Sequence, residues 1–290
     1  MAALTRIEAQ HQCGESPIWD PRTQTLTWVD TEKPLLAALS DKSECVVTHP
    51  TSRLVQSIGL RATGGWVAVV REGLVLLQTD GLEARFLGNP VEGLPHMTMS
   101  DGTVGPDGRF YAGSFNVQDL NAADGCIYRV DHDGAVKVIE TGLVLPNGMA
   151  FSPDGGTLYV TEMWIRRIVA YDFDARDGTL SRQRVLVTVP ESEGYPDGLI
   201  ADAEGWLWSA HWQGFRVTRY DPDGKKSSHV DVPVPTATCM AFGGPDLDRL
   251  YITTAKKGLT PGQLATYPAA GDLFMVRPEV RGRVEHEFAG

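Results

Sequence analysis

The chain reads as all-β, a six-bladed β-propeller with a metal site in its central channel. Three observations predict this. A turn followed by a short aromatic strand recurs six times, a second class of alternating strands lies between the occurrences, and polar residues stand at equivalent points ahead of the recurring unit.

The recurring unit appears as SPIWDPRTQTLTWVD (16–30), RATGGWVAVV (61–70), GPDGRFYAG (105–113), SPDGGTLYV (152–160), DAEGWLWSA (202–210) and GGPDLDRLYIT (243–253). Its Pro, Asp and Gly residues supply turn chemistry, and the alternation that follows is that of a strand. The second class comprises CIYRVDHDG (126–134), IVAYDFDARDG (168–178), FRVTRYDPDG (215–224) and DLFMVRPEVRG (272–282), rich in β-branched and aromatic residues. Helical periodicity is nearly absent, and only the segment Pro261 to Tyr267 suits a short helical turn. Units of roughly 45 residues with about four strands each describe propeller blades. A two-sheet sandwich is the competing all-β architecture, but it leaves the even spacing unexplained. Residues 1–290 are therefore expected to form a single six-bladed propeller domain.

Composition sets outer bounds. With 290 residues at 42% hydrophobic content the chain has enough apolar side chains for a large core. A formal charge of -11 argues against nucleic acid or an anionic membrane as partner, because either repels a net anion. Basic residues cluster only as pairs (Arg166-Arg167, Lys225-Lys226, Lys256-Lys257), which read as solvated surface. The beginning MAALTRIEAQHQ has no apolar targeting core, and no run approaches the ~20 apolar residues of a membrane span, so a cytoplasmic location is expected. Cys13, Cys45, Cys126 and Cys239 show no paired spacing and are expected as free thiols. The expected oligomeric state is a monomer or weak homo-oligomer.

In a propeller the innermost strand of each blade runs along the channel, so residues at its start meet those of the other blades at the channel mouth. Taking that position in each unit gives Glu15 in CGESPIW, Ser100 and Asp101 in MTMSDGTV, Asn147 in LPNGMAF and Asp197 in YPDGLIA. Carboxylates, an amide oxygen and a hydroxyl make an all-oxygen donor set suited to a hard divalent cation. Without one, crowded carboxylates raise each other's pKa. Singly, each of these residues also fits an ordinary turn, as Asp107, Asp154 and Asp223 do; their joint occurrence at equivalent points favours a site.

Other chemistry finds less support. DFDARDG (172–178) lacks the spacing of a calcium loop and reads as a surface hairpin, and no H-E-x-x-H is present. There is no G-x-S-x-G, and Pro17 directly after Ser16 removes a backbone donor that an oxyanion hole would use. No glycine-rich loop opens a helix.

The stretches GESPIWD, DGTVGPDGRFYAG, LPNGMAFSPDGGTLYV, YPDGLIADAEGWLW and CMAFGGPDLDRLYITTAKKGL, in this order between about Cys13 and Phe274, closely resemble the SMP-30/gluconolactonase/regucalcin family and its bacterial sugar lactonases of the xylonolactonase kind. The resemblance implies a propeller with one divalent cation in the channel (Ca²⁺, Mg²⁺, Mn²⁺, Zn²⁺ or Fe²⁺) and hydrolysis of a small-molecule lactone. It places Glu15, Asn147 and Asp197 at the metal ligands, with Asp197 also the general base. The family's substrate motif is usually Arg-x-Asn-Asp-Gly, whereas this chain has Thr98-Met99-Ser100-Asp101-Gly102, so both the Arg and the Asn are replaced. Thr98, Ser100 and Asp101 are the corresponding substrate-binding positions. Gln118 falls near a family Glu that binds sugar, and Trp212 and Gln213, with Trp164, fall in the pocket-lining region. The implied reaction opens a sugar or sugar-like 1,4- or 1,5-lactone to the hydroxy acid. Metal-dependent cleavage of phosphoesters or organophosphates and non-catalytic metal binding by a propeller are the alternatives.

Overall fold

The computed structural model describes residues 3–43 and 45–290. The described residues form six four-stranded antiparallel sheets, as the repeat predicts. Their inner strands are Gly14–Asp20, Val55–Leu60, Met97–Val104, Pro146–Phe151, Tyr195–Ala201 and Ala237–Gly243 for blades one to six. Each inner strand contacts the next, and the sixth contacts the first, so the sheets stand in a ring around a channel.

Burial explains the ring. The core divides into six apolar clusters, each drawing residues from two neighbouring blades. Tyr111 and Ile127 of blade three pack with Phe151 and Val160 of blade four, and Trp28 and Leu26 of blade one with Tyr251 of blade six. A four-stranded sheet buries neither face alone. Repeating it around a circle covers both faces of every sheet and leaves only short outer edges.

The ring closes across the chain's two ends. Thr5–Ile7 forms the outermost strand of blade six and pairs antiparallel with Leu273–Val276, Thr5 opposite Met275 and Ile7 opposite Leu273. The sequence segment 272–282 thus supplies a strand only as far as Val276, and Pro278 follows shortly after. The remaining residues run across the ring: Phe288 is fully buried between blades two and three, its N–H donating to the Leu60 carbonyl at 2.8 Å and its carbonyl accepting from Ala62 at 3.0 Å. Arg283, Glu285 and His286 border a cavity of about 60 Å³ inside the channel, together with inner-strand residues such as Ile58, Val104 and Ala241.

The segment read as a helical turn is an α-helix at Pro261–Thr266, with Thr260 and Gln263 exchanging a reciprocal cap. All four cysteines are free. Among the described residues no helix is long and apolar enough to cross a membrane.

Candidate functional site

Each of the six inner strands carries an irregularity at the same place. Its register with the second strand slips between Glu15 and Ile18, Val55 and Ser57, Met99 and Gly102, Pro146 and Met149, Pro196 and Leu199, and Ala237 and Met240. A bulge turns a side chain away from the alternation of its strand. Here it governs Ser100 and Asp101, Asn147, and Asp197, and in blade one it follows Glu15. These residues therefore sit within the strands, not in turns ahead of them. Asn-Gly and Asp-Gly, which the sequence presents as turn punctuation, serve another purpose.

That purpose is close approach. Gly148 and Gly198 do not need a positive φ, but both abut a neighbouring blade's backbone. A Cβ on Gly198 would lie 2.7 Å from the Cys239 Cα, and one on Gly148 would fall inside 3.0 Å of the Asp197 carbonyl and the Leu199 nitrogen. The glycines let inner strands crowd together where the polar residues converge.

The convergence forms the end of a cavity of about 600 Å³ bordered by Glu15, Ser100, Asp101, Asn147 and Asp197, from four blades. Asn147 Nδ2 donates to Asp197 Oδ1, the Glu15 carboxylate accepts from Ser16 N–H at 2.8 Å, and Asp101 Oδ1 accepts from Gly102 N–H at 2.7 Å. Ser100 Oγ donates to the Pro146 carbonyl at 2.6 Å, tying blade three to blade four. Asp197 is 3% exposed, and Glu15 and Asp101 are half-buried.

Burial, with Asp197 and Asp101 nearby, pushes the Glu15 carboxyl well above the usual range, and burial with Asp101 does the same to Asp197. Burial raises Asp101 also, against the opposing pull of its Ser57 and Gly102 hydrogen bonds. Lys257 is a weak counterweight for Glu15 and Asp197. Three crowded acids with this little compensation form a centre that attracts positive charge. Among the described residues no close group of three or more His, Cys, Asp or Glu has metal-binding geometry. A cation would therefore take Glu15 and Asp197 with the Asn147 amide, and that oxygen set fits a hard divalent ion. Cys13 also borders the cavity, where burial and Glu15 push its thiol up, so it stands as a neutral thiol.

The rim comes from residues with no shared motif. In an antiparallel pair the end of the second strand lies beside the start of the first, and Thr31, Arg71, Phe115, Met163, Trp212 and Lys257 enter the cavity from there in blades one to six. Sequence reasoning missed Arg71, Met163 and Lys257, which carry no shared motif. Lys257, read as solvated surface, borders the cavity and its Nζ bonds Glu32 at 2.7 Å. Thr98, Trp164 and Trp212 border the cavity as well; Gln118 and Gln213 are exposed and do not.

Residues 13–256 match the family described as SMP-30/Gluconolactonase/LRE-like region. The chain is 33% identical to a pentonolactonase from Haloferax volcanii over 98% of this chain and 97% of that one. It is 35% identical to a 6-deoxy-6-sulfogluconolactonase from Pseudomonas putida, over 96% and 95%. A crystal structure described as a calcium-binding protein, regucalcin, from Agrobacterium tumefaciens superposes with a TM-score of 0.92 at 29% identity, covering 99% of this chain and 97% of that chain. With the family match spanning all six inner strands and the relatives alike from end to end, the chain belongs to the SMP-30/gluconolactonase/LRE-like family.

Proposed function

We propose that this protein is a metal-dependent hydrolase that opens the ring of a sugar or sugar-like lactone to the hydroxy acid. The observation that carries this reading is the convergence of Glu15, Asn147 and Asp197 from three blades at the end of one ligand-sized cavity. The lactonase relatives support it. A divalent cation held by these three residues would act as a Lewis acid toward the lactone carbonyl and its developing oxyanion.

Asp197 is the general base. Its carboxylate is buried at the cavity, where it can accept the proton from an attacking water. Asn147 donates to Asp197 Oδ1 and holds that carboxylate in one orientation. The proton held on Asp197 passes to the ring oxygen as the acyl C–O bond breaks, so the residue ends as it began. No covalent intermediate is needed. Asp101, Thr98 and Trp212 border the space in which the ring lies, and Ser100 contributes by bracing the floor through Pro146.

The same reading places the protein in the cytoplasm as one propeller domain with free thiols. The experiment is acid release from five- and six-membered lactones by chelator-stripped protein given single divalent metals. Metal-dependent opening is expected. Full turnover by metal-loaded Asp197→Ala would refute the base assignment, and cleavage of phosphotriesters without lactone opening would refute the reaction class.

A further inference from the structure

We propose that, among sugar-like lactones, this pocket prefers a ring on which an apolar alkyl or aryl substituent takes the place of hydroxyl groups. The inference rests on the lactone-opening reading and concerns the apolar side chains that line the same cavity as the acids.

Two apolar walls face that space. Met97, Phe115 and Leu120 come from blade three, and Met163, Trp164 and Trp212 from blades four and five. The two tryptophans are held in place. Trp164 stacks on Tyr195 with centroids 4.6 Å apart while Arg166 covers that Tyr ring at 4.2 Å. Trp212 lies against Gly258, where even a Cβ would meet the indole at 3.0 Å. Rigid aromatic and thioether surface of this kind gains from removing apolar substrate area from water.

Several polar side chains of the same space spend at least one hydrogen bond within the protein. Ser100 Oγ donates to the Pro146 carbonyl, and Asn147 to Asp197. Arg71 Nη2 and Lys257 Nζ both bond the same Glu32 oxygen, at 3.0 and 2.7 Å. Gln56 Nε2 reaches the Thr31 carbonyl at 3.4 Å. A polyhydroxylated ring brings a hydroxyl on nearly every carbon, and each one buried without a partner weakens binding. With these groups partly spent and apolar side chains lining the same cavity, a ring that exchanges a hydroxyl for an apolar branch is favoured.

The test uses metal-loaded protein and two lactone series. One is γ- and δ-lactones with unbranched side chains of increasing length, and the other is aldono-1,4- and 1,5-lactones of the same ring size. Expected is a kcat/KM that rises about threefold to fourfold per methylene until the chain leaves the walls, and that exceeds the aldonolactones by at least roughly tenfold. Leu120→Ser is expected to flatten the chain-length dependence. Equilibrium binding of the matching alkyl lactams, which resist ring opening, is measured in parallel and is expected to tighten with chain length. Aldonolactones turned over as well as the alkyl series would overturn this inference and leave the lactonase reading standing. If no lactone is opened the lactonase reading falls, and the lactams then decide: affinity independent of chain length overturns the pocket assignment, while affinity that rises with it supports that assignment.

Discussion

Gly198→Ala tests whether the glycines beside the polar residues are there for close approach. The new Cβ would lie 2.5 Å from Cys239 Sγ and 2.7 Å from Cys239 Cα. Carbon atoms in contact prefer about 3.5–4.0 Å, so blades five and six must part by about 1 Å. The nearer obstacle includes backbone, so no side-chain rotation relieves it. Overpacking of this degree costs about 2 kcal/mol, and for a domain of this size that lowers Tm by about 3 °C. Because Asp197 is the adjoining residue, the same movement displaces the proposed ligand and base. A misplacement near 1 Å is expected to lower turnover about 100-fold. Thermal denaturation and calorimetric metal titration read the two effects separately. Gly262→Ala is the control: it lies in the first turn of the short helix with nothing within 4 Å of its would-be Cβ, and should change stability by less than about 0.5 kcal/mol. Wild-type Tm and metal affinity in Gly198→Ala would refute the close-approach argument.

Asp197→Asn is expected to lower kcat by about 10²- to 10⁴-fold in metal-loaded protein, checked by steady-state kinetics with bound metal quantified in the same sample. Glu15, Asp101 and Asp197 bind protons more tightly folded than unfolded. Their contribution to the stability of metal-free protein is therefore fully present below the usual carboxylate range, near pH 4, and is lost as pH rises through their raised folded values. A Tm-versus-pH comparison of metal-free wild type and Asp101→Asn should show the variant gaining on the wild type across that rise. Metal binding should release protons over the same window, which calorimetry in buffers of different ionisation enthalpy would read. Phe288→Ala, which empties a fully buried aromatic site between blades two and three, should cost about 3–5 kcal/mol by denaturant unfolding.

The fold was legible because a propeller repeats its instructions: the Pro-Asp-Gly turns and aromatic strands recur at a fixed interval, and interval is visible in a single sequence. The convergence of Glu15, Asn147 and Asp197 on one cavity was legible for the same reason. What spacing could not convey was the bulge, since a strand that slips register by one residue looks the same in sequence as a turn that precedes a strand. The rim was harder still. Thr31, Arg71, Phe115, Met163, Trp212 and Lys257 lie at or near the ends of the second strands yet share no chemistry, so no motif joins them. The three-residue strand Thr5–Ile7 is too short for alternation to register, and its partner lies at the opposite end of the chain.

That pairing bears on how the protein is made. Thr5–Ile7 finds its place only against Leu273–Val276, so a strand made early waits for one made much later. Neighbouring blades can form as they emerge, but the contact between blades six and one cannot, and blade one carries Glu15. Closing so long a loop is slow. Lactonase chemistry, on this view, switches on abruptly at the end of folding, and a nascent chain lacking its last blade would hold most of its sheet structure with an open ring and no working centre.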